Sequence, residues 1–177
     1  MIIGLVGMFA CGKDTVAEYL QQKGFIHFSL SDEIRIEAKE RKIESTRENL
    51  INLANEMRAK YGASILADRA RIKIHLQKDN NFVISSIRNP EEIKSLRQEP
   101  NFVLVLVDAE PKIRFERLKA RAREGDVQTF EEFVEKETLE QNADPTKQQL
   151  HKVVKEAKII LNNNGTVEES YKKIDRM

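Results

Sequence analysis

Along the chain, short apolar runs alternate with longer stretches in which apolar residues recur every three or four positions. The short runs predict strands within Met1 to Val6 and at Phe25 to Phe28, Phe82 to Ser85, Phe102 to Val107 and Lys158 to Leu161. Helical patterns separate them, so the expected fold is α/β: a five-stranded parallel sheet with helices on both faces. Pairs at the spacing of a capping box mark helix starts at Ser45 with Glu48, Asn89 with Glu92, Thr129 with Glu132, Thr146 with Gln149, and Thr166 with Glu169. No strand is expected from about residue 30 to about residue 78, which reads as two or three helices broken near Lys42 and Gly62. A second interruption, from Arg121 to Thr129 around Gly125 and Asp126, holds few apolar residues and reads as a small mobile flap.

The first strand runs into Gly7-Met8-Phe9-Ala10-Cys11-Gly12-Lys13-Asp14-Thr15, with Val16, Ala17 and Leu20 forming the inner face of the helix that follows. Strand, glycine-bearing turn and helix N-terminus together make a phosphate-binding loop. Backbone N–H groups point inward, glycine permits close approach, the helix end adds positive potential, and Lys13 reaches the outer phosphates. Asp14 stands directly after the lysine, and Thr15 supplies the hydroxyl that would ligate Mg²⁺. Cys11 reads as a small side chain filling a tight turn rather than a reactive thiol.

A chain of 177 residues suits one domain with a real core. Thirty basic against twenty-nine acidic residues give a net charge of +1, which argues against a nucleic-acid-coating or membrane-surface protein and for a small anionic partner. One cysteine and no charged-then-apolar leader point to the cytosol, and no run reaches the length of a membrane span. The three histidines, His27, His75 and His151, lack ligand spacing and read as structural, so no zinc site is expected.

Arg114, Arg117 and Arg121 fall on one helical stripe if Pro111 opens a helix, with Arg123 on the flap beyond. Two readings stand for this stripe: guanidinium groups aimed at a transferring phosphoryl, or a solvated face paired with Glu116, Glu124 and Asp126. Arg88 follows the third strand, at the carboxyl edge where open parallel sheets place ligands. Ser31, Asp32 and Arg35 follow the second strand and suit a hydroxyl or phosphate acceptor on the opposite wall; Ser31 or Asp32 as a plain helix cap is the alternative.

The Lys-x-Thr ending of the loop is similar to that of adenylate kinase and other nucleoside monophosphate kinases, and Gly-Lys-Asp-Thr resembles deoxynucleotide kinase variants. Together with Phe-Ser-Leu-Ser-Asp-Glu-Ile-Arg, Ser-Ser-Ile-Arg-Asn-Pro-Glu-Glu and Asn-Asn-Asn-Gly-Thr-Val-Glu-Glu, it resembles an uncharacterised, largely archaeal family of adenylate kinase-related P-loop nucleotide kinases. It is less closely similar to dephospho-coenzyme A kinase. The resemblance implies ATP with Mg²⁺ on Gly7 to Thr15, a helical acceptor region at about 30–78, and a lid at about 114–129 that carries Arg117 and Arg121. It further implies that Arg88 grips the acceptor phosphate and that Asn163 to Thr166, including Gly165, lie near the adenine. Ser85 and Ser86 depart from the resemblance, standing where those enzymes carry an acidic residue.

The expected activity is transfer of the ATP γ-phosphoryl to a small phosphorylated acceptor, first a nucleoside monophosphate, with a dephospho-coenzyme A type of acceptor as the alternative. Lys13, Arg88, Arg117 and Arg121 are the expected catalytic residues. A slow ATP-hydrolysing switch acting through a protein or RNA partner is the rival from another class. A GTPase is disfavoured, because the sequence holds neither an Asp-x-x-Gly nor an Asn-Lys-x-Asp motif.

Overall fold

Ile2–Val6 has no polar position, and such a run persists as a strand only when both its faces are covered. The computed structural model, which describes residues 1–77, 80–121, 128–139 and 147–176, places this strand (β1) at the centre of a sheet. The others are β2 (Ile26–Ser29), β3 (Phe82–Ser85), β4 (Phe102–Asp108) and β5 (Ile159–Asn162). All pairings are parallel and the order is β2-β3-β1-β4-β5.

Helices α1 (Lys13–Gln22), α2 (Leu30–Glu40), α3 (Arg47–Tyr61), α4 (Ile65–His75), α5 (Pro90–Leu96), α6 (Pro111–Arg121), α7 (Phe130–Leu139), α8 (Leu150–Val153) and α9 (Val167–Ile174) connect or follow the strands. On one face of the sheet Val6, Phe82, Ile84 and Leu104 pack with Leu30, Leu53, Met57, Leu66 and Ile93 from α2 to α5. On the other, Leu5, Val83, Val105 and Val107 pack with Val16, Ala17 and Leu20 of α1. A smaller cluster of Phe115, Leu118 and Phe133 joins α6 to α7 and packs against Phe9 and Ala10.

The interval after β2 is helical, as expected, and its breaks are conformational: Lys42 sits at φ +56° and Gly62 at φ +99°. The capping boxes at Asn89 and Thr166 are both present, and Thr129 exchanges the same bonds with Glu132. At α3 the cap falls one residue later than expected: Thr46, not Ser45, accepts from the Asn49 amide at 3.2 Å. Thr146 lies outside the described residues, and Gln149 itself is the N-cap of α8. Residues 122–127, which hold Arg123 and most of the expected flap, also lie outside them.

Candidate active site

The loop after β1 turns by means of backbone that side chains resist. Gly7 at φ +152° brings its Cα so close to the carbonyl oxygen of Val107 that a Cβ would lie 2.2 Å from it. Gly12, the N-cap of α1, sits at φ +95°, and Ala10 at φ +59°. The α1 N-terminus thus opens toward the loop with its amides unspent on side-chain caps, the arrangement that receives an anion. Lys13 folds over the loop, its Nζ donating to the carbonyl oxygens of Gly7 at 2.8 Å and Met8 at 3.1 Å and lying 3.4 Å from Cys11 Sγ. Cys11 is buried and fills the turn beside Gly7.

Two elements buttress this loop from the β5 side. Asn163 is buried; its amide donates to Asp108 at 2.7 Å, its Nδ2 donates to the Cys11 carbonyl at 2.7 Å, and its Oδ1 accepts from Ser170 of α9. Arg117 donates to the carbonyl oxygens of Cys11 at 3.3 Å, Asn163 at 2.7 Å and Gly165 at 3.4 Å. Asn163 therefore holds the loop with its side chain, while the Gly165 carbonyl anchors Arg117. A shallow groove of about 420 Å³, lined by Lys112, Ile113, Glu116, Arg117 and Ala120, runs along α6 next to this junction.

The arginine stripe on α6 divides into three different environments. Arg114 is buried and structural: its Nε donates to the Ala109 carbonyl, and its terminal nitrogens to the Phe9 carbonyl and the Glu137 carboxylate of α7. Arg121 is exposed, its guanidinium stacked 4.6 Å above the Phe9 ring centroid. Phe9 is thus held by α6 twice, at its backbone and at its ring, which ties this helix to the tip of the phosphate loop.

At the carboxyl ends of β2 and β3 lie the expected acceptor residues. Asp32 and Arg35 form an exposed ion pair at 2.9 Å, and Arg35 also donates to Ser31 at 2.8 Å, so part of their recognition capacity is spent on each other. Arg88 is exposed and donates to Gln148 Oε1 at 2.9 Å. Its backbone is fixed from inside the protein: Glu92 Oε2 accepts from the Arg88 and Asn89 amides at 2.7 and 3.0 Å. Glu92 Oε1 accepts from Arg58 of α3 at 3.0 Å, within a fully buried pair. Burial pushes the Glu92 carboxyl up, against the pull of Arg58 and the two amides. The helical insertion and the turn that carries Arg88 are thereby joined.

The Arg58–Glu92 pair was not visible in the sequence, and Ser85 and Ser86 stood there only as departures from an acidic position, without their partners His27 and Ser29. Ser85 is buried at the end of β3, with its Oγ 2.7 Å from His27 Nε2. Ser86 sits at φ +62° and its hydroxyl bonds Ser29 Oγ at 2.8 Å, with Ser31 Oγ 2.9 Å from Ser29. The signal available in the sequence was a polar residue at every second position of β2, where a strand covered on both faces reads apolar. Of the other histidines, His75 bonds Glu99 at 3.0 Å. Among the described residues no group of three or more His, Cys, Asp or Glu side chains is arranged to hold a metal ion, and no helix is long and apolar enough to cross a membrane.

A parallel sheet whose central strand feeds a glycine loop, a lysine and a helix N-terminus defines a P-loop fold of the kinase-like type, and comparison with known proteins agrees. Residues 3–143 match the family model described as AAA domain. The UPF0200 protein of Thermococcus gammatolerans is 33% identical over 179 residues, spanning 98% of this chain and 92% of that protein. The chain belongs to both families, which bears out the resemblance to an archaeal P-loop kinase-related family. Among solved structures, TT1252 from Thermus thermophilus aligns with a TM-score of 0.61 at 22% identity, covering 99% of this chain and 95% of that one. The shikimate kinase of Bacteroides thetaiotaomicron aligns at 0.57 and 14% identity, covering 99% and 97%. At such identities these likenesses establish the fold.

Proposed function

We propose that the protein is an ATP-dependent phosphotransferase that moves the γ-phosphoryl to a small phosphorylated acceptor, with nucleoside monophosphates and dephospho-coenzyme A as the two acceptor types its sequence suggests. The observation that carries this reading is the placement of Lys13 across the loop, within 3.1 Å of both Gly7 and Met8 carbonyls, at the open N-terminus of α1. Phosphates entering the loop would draw the ammonium from these carbonyls to their own oxygens. Positioning and charge neutralisation then supply most of the catalysis, as phosphoryl transfer requires.

In this reading the triphosphate lies on Gly7 to Thr15 and the base lies in the groove on α6, beside Arg117 and the Asn163–Gly165 loop. Arg121 leaves Phe9 for the transferring phosphoryl, while Arg88, Ser31, Asp32 and Arg35 receive the acceptor. The residues that follow Lys13 in the first turn of α1, Asp14 and Thr15, carry hard oxygen donors. They suit Mg²⁺, which Thr15 with Asp14 would hold and which would supply charge neutralisation for the transfer. Product analysis tests the proposal: ATP, Mg²⁺ and a panel of nucleoside monophosphates and dephospho-coenzyme A are mixed with the protein and phosphorylated products are followed by mass spectrometry. A phosphorylated acceptor supports it. ATP hydrolysis that appears only with a protein or RNA partner, and with no small product, favours the switch instead.

A further inference from the structure

The phosphotransferase reading leaves the chemistry of the attacking group open, and the following rests on that reading. On the face of the sheet toward α1, β2 and β3 carry His27, Ser29 and Ser85 next to Val83, Leu5, Val16, Ala17 and Leu20. Parallel register pairs His27 with Val83 and Ser29 with Ser85, so these polar side chains share one face. Ser85 ends β3 one residue past the Gly4–Ile84 pair, one strand away from the entrance of the phosphate loop. It is buried, so bulk water does not compete for its bond to His27.

Burial holds the His27 imidazole below its ordinary range, against Asp32 of α2 and Asp14 and Glu18 of α1, the carboxylates that face it from the two helices packed on β2. A neutral imidazole can accept the Ser85 proton at Nε2, 2.7 Å away. A serine whose proton is engaged in this way presents only lone pairs to the site, as a carboxylate does. An acceptor that attacks through a phosphate oxygen has no use for such a group. An alcohol does, because its O–H must lose a proton as the new bond forms.

We infer that the acceptor is a small alcohol whose attacking O–H is received by Ser85, and that His27, acting through Ser85, is the positioning residue that makes this serine a proton acceptor. The step balances. The alcohol oxygen bonds to the γ-phosphorus while the bond from that phosphorus to the β,γ-bridging oxygen breaks, and ADP leaves with its electron pair. The alcohol proton passes to Ser85 Oγ as the serine's own proton passes to His27 Nε2, and the imidazolium then releases it to water. The product is a phosphomonoester.

The test uses the full chain with ATP and Mg²⁺, ribonucleosides and dephospho-coenzyme A as alcohol probes, and nucleoside monophosphates as phosphate probes. Phosphorus NMR separates phosphomonoester from phosphoanhydride products. The expected result is a phosphomonoester, a fall in kcat of about 10²-fold in His27→Gln and Ser85→Ala, and unchanged ATP affinity and acceptor KM. The wild-type kcat should fall toward acid pH as His27 takes up a proton and donates to Ser85 instead. This limb should vanish in His27→Gln, and Ser85→Asp should restore turnover in that background. A histidine with a purely structural role would change the melting temperature and leave the acid limb in place. Phosphoanhydride products alone, ATP turnover without any phosphorylated alcohol, or a full-rate His27→Gln variant with its acid limb intact would overturn the inference. A wild-type protein that does not bind ATP would instead overturn the phosphotransferase reading itself.

Discussion

Asn163 donates from Nδ2 to the carbonyl oxygen of Cys11 at 2.7 Å, across 152 positions of sequence, and this bond fixes the phosphate loop to the segment that follows β5. Arg117 reaches the same carbonyl from α6, so three separate parts of the chain meet at one backbone oxygen. Removing the amide with Asn163→Ala takes away two bonds, leaving the Cys11 carbonyl with Arg117 as donor at 3.3 Å and the Ser170 hydroxyl with the Thr166 carbonyl as acceptor at 3.1 Å. The expected loss is about 1–3 kcal/mol of stability, with ATP affinity reduced as the loop loosens. Urea unfolding and nucleotide titration of the variant check both parts.

Gly12 and Gly24 provide a controlled comparison. Both have left-handed backbone, at φ +95° and +90°, but a Cβ on Gly12 would lie 2.3 Å from Asn163 Nδ2, while one on Gly24 meets nothing within 4 Å. Gly24→Ala should cost about 1 kcal/mol in backbone strain alone. Gly12→Ala should cost more, by about 1–3 kcal/mol, and should weaken ATP binding, which Gly24→Ala leaves unchanged.

Much of this architecture was legible in the sequence because it rests on local rules. Each predicted strand is present to within a residue, and the positive-φ breaks at Lys42 and Gly62 fall where the helical pattern failed. The phosphate loop was readable because its chemistry is contiguous. Arg114 was not, because its partners are the Phe9 carbonyl, 105 positions away, and Glu137 on a separate helix, so a stripe of three arginines on one helix looked alike where packing makes them different. Asp32 and Arg35 could be placed at the acceptor end but not seen to pair with each other. Arg58 and Glu92 escaped for a related reason: a charged residue on an apolar helix face reads as noise until its opposite appears 34 positions later, at 3.0 Å.

That buried pair supports a stability prediction. Arg58→Leu leaves Glu92 in the core with two backbone amides but no cation, and should cost about 3–5 kcal/mol. Arg58→Leu combined with Glu92→Gln keeps the carbonyl oxygen that caps the Arg88 turn and removes the stranded charge, so it should recover most of the loss. Thermal unfolding of the single and double variants decides this, and a single variant as stable as the wild type would contradict it.

Glu37 gives the packing of α2, α3 and α4 a pH dependence. Hydrogen bonds from Arg69 and Arg41 hold its carboxyl below the ordinary carboxylate range, and Arg41 also bonds Glu56 of α3 at 2.7 Å. A carboxyl depressed on folding adds stability above its unfolded pKa and loses that stability as pH falls through the ordinary range toward the folded value. Glu37→Gln should therefore be less stable than the wild type at neutral pH, and the difference should shrink as the solution is acidified. Melting temperatures measured from pH 7 down to pH 3 would show the convergence; a gap that stays constant with pH would contradict it.

The central claim is that Lys13 and its loop hold the phosphates of ATP for transfer. Turnover and ATP affinity of Lys13→Ala, measured beside its melting temperature, address that claim most directly. Among the described residues Lys13 bonds only carbonyl oxygens and the neighbouring sulfur within the loop, so the variant should fold with nearly the wild-type melting temperature. It should also lose most of its phosphoryl transfer. A folded Lys13→Ala protein that phosphorylates its acceptor at the wild-type rate would contradict the account.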